Sequence, residues 1–155
     1  MQAWTSTVTT LTILVAVSMT PAAYAFDLTG HWAGKFSCKG FDGTKITLGS
    51  KAATLAITQT GNTIAALAGG FLYTGTQVPD PAKPEQGEAV LFTCATSGTT
   101  GIGEIGRATV KTKLGTFKAT LKATSVFATN APRVGTCKYT YKRIDTIDPG
   151  VGACS

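Results

Sequence analysis

Between residues 108 and 124 apolar and polar positions alternate one by one. Ala108, Val110, Leu114, Phe117, Ala119, Leu121 and Ala123 form one set, and Thr109, Lys111, Lys113, Lys118, Thr120, Lys122 and Thr124 the other. A period of two describes a strand with one buried face. The phase survives only if Gly115-Thr116 is a two-residue turn that opposes Leu114 to Phe117 and Lys113 to Lys118. Glycine in the first turn position suits a type II′ hairpin. The wet face carries Lys111, Lys113, Lys118 and Lys122, which read as a solvated surface that discourages edge pairing. A second hairpin has the same form: Leu55, Ile57 and Gln59 lead into Gly61-Asn62, and Ile64, Ala66 and Ala68 continue the face.

Further strands are expected over Thr29–Lys39, Phe71–Thr76, Glu88–Ala95, Glu104–Lys113 and Gly135–Ile144, about eight in all with the hairpins. No stretch sustains a helical period, and glycine interrupts the chain at short intervals. The class is therefore all-β, a sandwich or a barrel, in one domain. Two segments read as loops: "QVPDPAKPEQGE", Gln77–Glu88, whose prolines exclude a central strand, and "TSGTTGIG", Thr96–Gly103.

The apolar run Leu11–Met19 ahead of Ala23-Tyr24-Ala25 has the form of a secretory signal, so residues 1–25 are expected to be removed and residues 26–155 to form the barrel domain with a short C-terminal tail. No Lys or Arg precedes Lys35, which leaves only the α-amino group to supply the leader's positive charge. The expected location is the periplasm or the extracellular space, with no membrane span. All 14 basic and 8 acidic residues lie beyond the leader, for a formal charge of +6. The lysines are dispersed and form no aromatic-basic run, so no nucleic-acid partner is expected. Cys38, Cys94, Cys137 and Cys154 are an even set in an exported chain, which predicts two disulfides and leaves three connectivities open.

Candidate chemistry is sparse. "GIGEIG", Gly101–Gly106, matches a dinucleotide fingerprint, but an alternating strand follows where a helix N-terminus would have to hold the phosphates. No cofactor is expected. His31 is the only histidine, and Asp27 is its only local carboxylate; on a strand the two are over ~12 Å apart. No residue is assigned a catalytic role or a metal, and the oligomeric state is left open.

The segment "LTGHW", Leu28–Trp32, contains Gly30-His31-Trp32, and this resembles the G-x-W motif of lipocalins. With the expected strand count it resembles the calycin group of eight-stranded, antiparallel, up-and-down barrels, which includes lipocalins and avidins. "GFLYTG" is also similar to avidins, but the positions that would contact biotin hold Gly34 and Cys38. The resemblance implies that Trp32 closes one end of a barrel by packing on a basic residue near the end of the last strand, where Arg143 stands in "KYTYKRID". Placing Trp32 opposite Arg143 then opposes Cys38 to Cys137, because Cys38 follows Trp32 by as many residues as Cys137 precedes Arg143. Cys94 is left for Cys154.

In that register Phe36, Leu55, Ile57, Ile64, Tyr73, Phe92, Val110, Phe117, Leu121, Tyr139 and Tyr141 point inward. Among them Phe36, Ile57, Tyr73, Phe92, Phe117, Leu121, Tyr139 and Tyr141 are the candidate ligand-lining set. An eight-stranded barrel is just wide enough to be filled by side chains or to hold one small ligand. The expected function is binding of a small apolar ligand. The alternative is a protein-interaction module such as a periplasmic protease inhibitor, which would insert a segment ahead of its first strand; only Phe26–Thr29 lie between the cleavage point and that strand.

Overall fold

The structure is a computed structural model that describes residues 27–94, 102–113, 115–130 and 133–154. The expected leader, Phe26, Leu114 and residues 96–101 of the second loop lie outside the described residues. Eight strands follow in order: β1 (Gly30–Phe41), β2 (Lys45–Thr60), β3 (Thr63–Ala68), β4 (Phe71–Asp80), β5 (Lys83–Thr93), β6 (Ile102–Thr112), β7 (Ala119–Thr129) and β8 (Arg133–Arg143). Each pairs antiparallel with its neighbour in sequence, and β8 returns to β1, so the sheet closes as an up-and-down barrel.

Both hairpins take the expected register. Thr60 opposes Thr63 across Gly61-Asn62, and Leu55, Ile57 and Gln59 face Ala68, Ala66 and Ile64. Thr112 opposes Ala119 and the Lys113 N–H donates to the Lys118 carbonyl at 2.9 Å, but the turn is not the expected two-residue one: the Thr116 N–H donates to the Lys113 carbonyl at 3.1 Å, which makes Gly115, with φ of 72°, the third residue of a Lys113–Thr116 turn. A positive φ there is available to glycine without a Cβ penalty.

The seam between β1 and β8 brings Trp32 opposite Arg143 and Cys38 opposite Cys137. Cys38 and Cys137 are bonded, with α-carbons 4.1 Å apart. Gly34, opposite Tyr141 on the same seam, has no room for a side chain, since a Cβ would lie 1.9 Å from the Thr140 carbonyl oxygen. At the end of the barrel where β1 begins, Trp32 is fully buried and the Arg143 guanidinium lies 5.5 Å from its ring centroid. The same guanidinium donates to the Phe117 carbonyl at 2.6 Å and the Asp27 carbonyl at 2.8 Å, while Trp32 Nε1 donates to the Leu28 carbonyl at 3.1 Å. Leu28, Ile57, Ile64, Val110 and Leu121 complete a packed core at this end, each no more than 2% exposed.

Beyond β8 the tail crosses the outer wall. His31 Nδ1 meets the Asp145 carboxylate at 3.0 Å. Thr58 Oγ1 donates to Asp148 at 2.6 Å and accepts from the Val151 N–H at 2.8 Å, and the tail ends on the second disulfide, Cys94–Cys154. His31 thus pairs with the tail and not with Asp27, whose carboxylate caps the Thr29 N–H at 2.8 Å.

Three further expectations are corrected. Gln77–Glu88 is a hairpin and not a loop: β4 and β5 run through it to a turn at Pro81-Ala82. The prolines are accommodated because the pairing slips between Pro79–Gly87 and Asp80–Lys83, which puts Pro84 in a bulge that requires no ladder N–H. Phe92 lies on the outer wall, 48% exposed, because β5 turns its small set inward, with Ala89 2% exposed and Leu91 packed on the core. Phe117 is 50% exposed in the β6–β7 turn, since Leu28 and Trp32 already occupy the closed end.

Gln77, inside on β4, is 1% exposed, and its amide has no partner among the described residues. A buried amide without a partner costs roughly 1–3 kcal/mol. Gln77→Met keeps the length and removes the polar atoms, so it is expected to raise the unfolding free energy in urea by about 1 kcal/mol. A loss of that size would contradict this account of the core.

Candidate functional site

The two ends of the barrel are filled differently. Above the packed end, the inward positions of β3, β6 and β7 become small, with Ala68, Gly106 and Ala123, and a cavity of about 660 Å3 opens toward the end that carries the β1–β2, β3–β4 and β7–β8 turns. That volume lies within the roughly 300–1,000 Å3 usual for ligand pockets. A bulge in β2 shapes its wall. Phe36 opposes Lys51 but Cys38 opposes Leu48, so β2 carries one extra residue around Gly49-Ser50. The extra residue changes the phase of the strand. Leu55 and Ile57 point into the packed end, and Ile46 and Leu48, of the other parity, line the cavity.

The floor is polar. Glu104 on β6 points inward in the phase of Ala108 and Val110, and its carboxylate receives hydroxyl hydrogen bonds from three other strands across the interior. Tyr73 of β4 donates to Oε2 at 2.7 Å, Tyr139 of β8 donates to Oε1 at 2.6 Å, and Ser125 of β7 also donates to Oε1. The Glu104 N–H in turn donates to Thr93 Oγ1 at 3.0 Å. Hydrogen bonds to an ionised acceptor are about twice as strong as neutral ones. This arrangement holds a carboxylate in the barrel without a neighbouring cation among the described residues. Below it lies a smaller pocket of about 70 Å3, so the cluster divides the hollow part of the barrel from the packed part.

The aromatic wall continues from this cluster. The Phe36 and Tyr139 rings stack with centroids 5.8 Å apart, and those of Tyr139 and Tyr141 stack at 6.0 Å. Burial pushes all three phenols upward. For Tyr73 and Tyr139 the hydrogen bond to Glu104 raises the pKa further, beyond the usual alkaline range. Tyr141 is pushed up to about 12 by burial first and by the Glu104 charge second. All three phenols are neutral at ordinary pH, and Tyr73 and Tyr139 donate to Glu104.

Of the candidate lining residues, Phe36, Tyr73, Tyr139 and Tyr141 border the main cavity. Leu121 borders the smaller pocket, and Ile57 lies in the packed core. Phe92 and Phe117 are outside the barrel. Glu104, Ser125, Phe71 and Phe127 were not singled out from sequence. For Glu104 the signal was present, because it shares the parity of Ala108 and Val110. Among the described residues no three His, Cys, Asp or Glu side chains converge as metal ligands. The chain matches no protein-family model, no curated protein and no solved structure. Fold and site together define a closed eight-stranded antiparallel barrel, packed at one end and hollow at the other, with a carboxylate–hydroxyl cluster between.

Phenols whose folded pKa is raised contribute full stability below the free value of about 10 and lose it as pH rises from there through the folded value. Every tyrosine from Phe26 onward belongs to this cluster. In protein beginning at Phe26, ultraviolet titration is therefore expected to show no phenolate near pH 10, with ionisation near pH 12 or above and coupled to loss of structure. A phenolate step near pH 10 in the folded protein would contradict the cluster.

Proposed function

We propose that this protein is an exported, calycin-like barrel that binds a small, largely apolar ligand in the hollow half of its interior. The cavity of about 660 Å3 carries the reading. Its upper wall is apolar, with Ile46, Leu48, Phe71 and Phe127, and the anionic Glu104 cluster lies at the floor, where it can orient a ligand that enters by the mouth. Two disulfides suit an oxidising compartment, in keeping with removal of a leader before Phe26. The Trp32–Arg143 closure supports the calycin likeness.

A protease-inhibitor role would require the segment ahead of β1 to be free to enter a protease. Leu28, in that segment, is instead buried under the closed end, and its N–H donates to Gln59 Oε1 at 2.9 Å. Ligand binding is the better supported reading.

The neutral fluorophore N-phenyl-1-naphthylamine is expected to bind protein beginning at Phe26 with a Kd on the order of 1–10 μM. Ala53→Phe, which fills the cavity wall, is expected to weaken it roughly tenfold without changing thermal unfolding. No binding to the folded protein, or equal binding by a folded Ala53→Phe variant, would refute the reading.

A further inference from the structure

The cavity carries a negative charge that no described residue inside it neutralises. Among the described residues the only basic side chain on its wall is Arg133, which stands at the mouth and is paired with Asp42 at 3.4 Å. Among the described residues the partners of the Glu104 carboxylate at the floor are neutral, the hydroxyls of Tyr73, Ser125 and Tyr139. These donors are unevenly shared. Among the described residues Oε1 takes two and Oε2 takes one. Each carboxylate oxygen has two lone-pair positions, so Oε2 retains one acceptor position at the floor of the main cavity, which Glu104 lines. The surrounding walls are rings, Phe36, Tyr73, Tyr139 and Tyr141, and aromatic faces attract cations.

We propose that the ligand is a cationic amphiphile, an organic amine whose protonated nitrogen donates to Glu104 Oε2 among the aromatic rings while its apolar body lies toward the mouth. This rests on the cavity-binding reading above and adds the head-group chemistry to it. An ammonium supplies both the missing donor and the missing charge. An alcohol supplies only the donor. A carboxylate brings a second negative charge to a floor that already holds one, and is rejected by like-charge repulsion.

Decylammonium, decanol and decanoate differ only at the head group, and displacement of N-phenyl-1-naphthylamine below their micelle concentrations compares them directly. The expected order is decylammonium first, by at least about tenfold over decanol, with decanoate weakest. In Glu104→Gln the amine is expected to lose that advantage while decanol binds as before. Tyr73→Phe frees a second position on Oε2 and is expected to keep the amine first, which supplies a variant that retains the carboxylate should Glu104→Gln fail to fold. Equal binding of the three, or preference for decanoate, would overturn the charge inference and leave the cavity reading standing. Failure of all three, and of the fluorophore, with folded protein would overturn both.

Discussion

The rest of the structure depends on the seam between β1 and β8. One register along it sets Trp32 against Arg143 and Cys38 against Cys137, so the strands are fixed at two separated points by different kinds of contact. A slip of one residue would turn every inward side chain of a strand outward, and neither contact tolerates it. Closure also removes the free edges that an eight-stranded open sheet would expose. The Cys38–Cys137 bond joins positions 99 residues apart, for which chain-entropy reasoning allows up to about 4.7 kcal/mol.

Once the ring is closed, the sizes of the inward residues decide what it contains. At the Trp32 end Trp32, Ile57, Ile64, Val110 and Leu121 pack among alanines, Leu28 is drawn in as an additional plug, and only the pocket of about 70 Å3 beside Leu121 interrupts the packing. Toward the other end several inward positions are small, among them Gly40, Ala53 and Ala68, and the Cys38–Cys137 bond occupies a place that a bulky pair would otherwise fill. The β2 bulge then lets Ile46 and Leu48 line the upper wall. The Glu104 cluster lies at the transition, where polar groups remain within reach of the open half and still find partners on other strands across the interior. A barrel that is either full or empty is too simple a description of this chain. It is full below the cluster and hollow above it.

Much of the fold was legible because alternation and turn chemistry agree with each other. Gly61-Asn62 and the Lys113–Thr116 turn set the phase of their hairpins, and the G-x-W resemblance brought the register of the seam and both disulfides. Phase was lost where both faces of a strand carry apolar residues. In "AVLF" of β5, Phe92 looks like the interior choice by size. Cys94, two residues later on the same face, is bonded to Cys154 of the tail, and the tail runs outside the wall, so Phe92 belongs outside as well. Gln77–Glu88 pairs as a hairpin despite its prolines because proline excludes a regular ladder but not a bulged one. The parity change between Ile46/Leu48 and Leu55/Ile57 was a readable sign of the bulge at Gly49-Ser50. The convergence of Glu104, Tyr73, Ser125 and Tyr139 was not readable in full, because it depends on four strands meeting at one height in the ring.

The central claim, a barrel packed at the Trp32 end and open to solvent at the other, is tested most directly by methyl NMR with a neutral, water-soluble paramagnetic agent. The account predicts that the methyl signals of Ile57, Ile64, Val110 and Leu121 persist, while those of Ala53, Ala68 and Leu48 broaden. Equal protection of both groups would mean that the upper half is collapsed. Equal broadening would mean that the seam does not close the lower half, and either result would contradict the account.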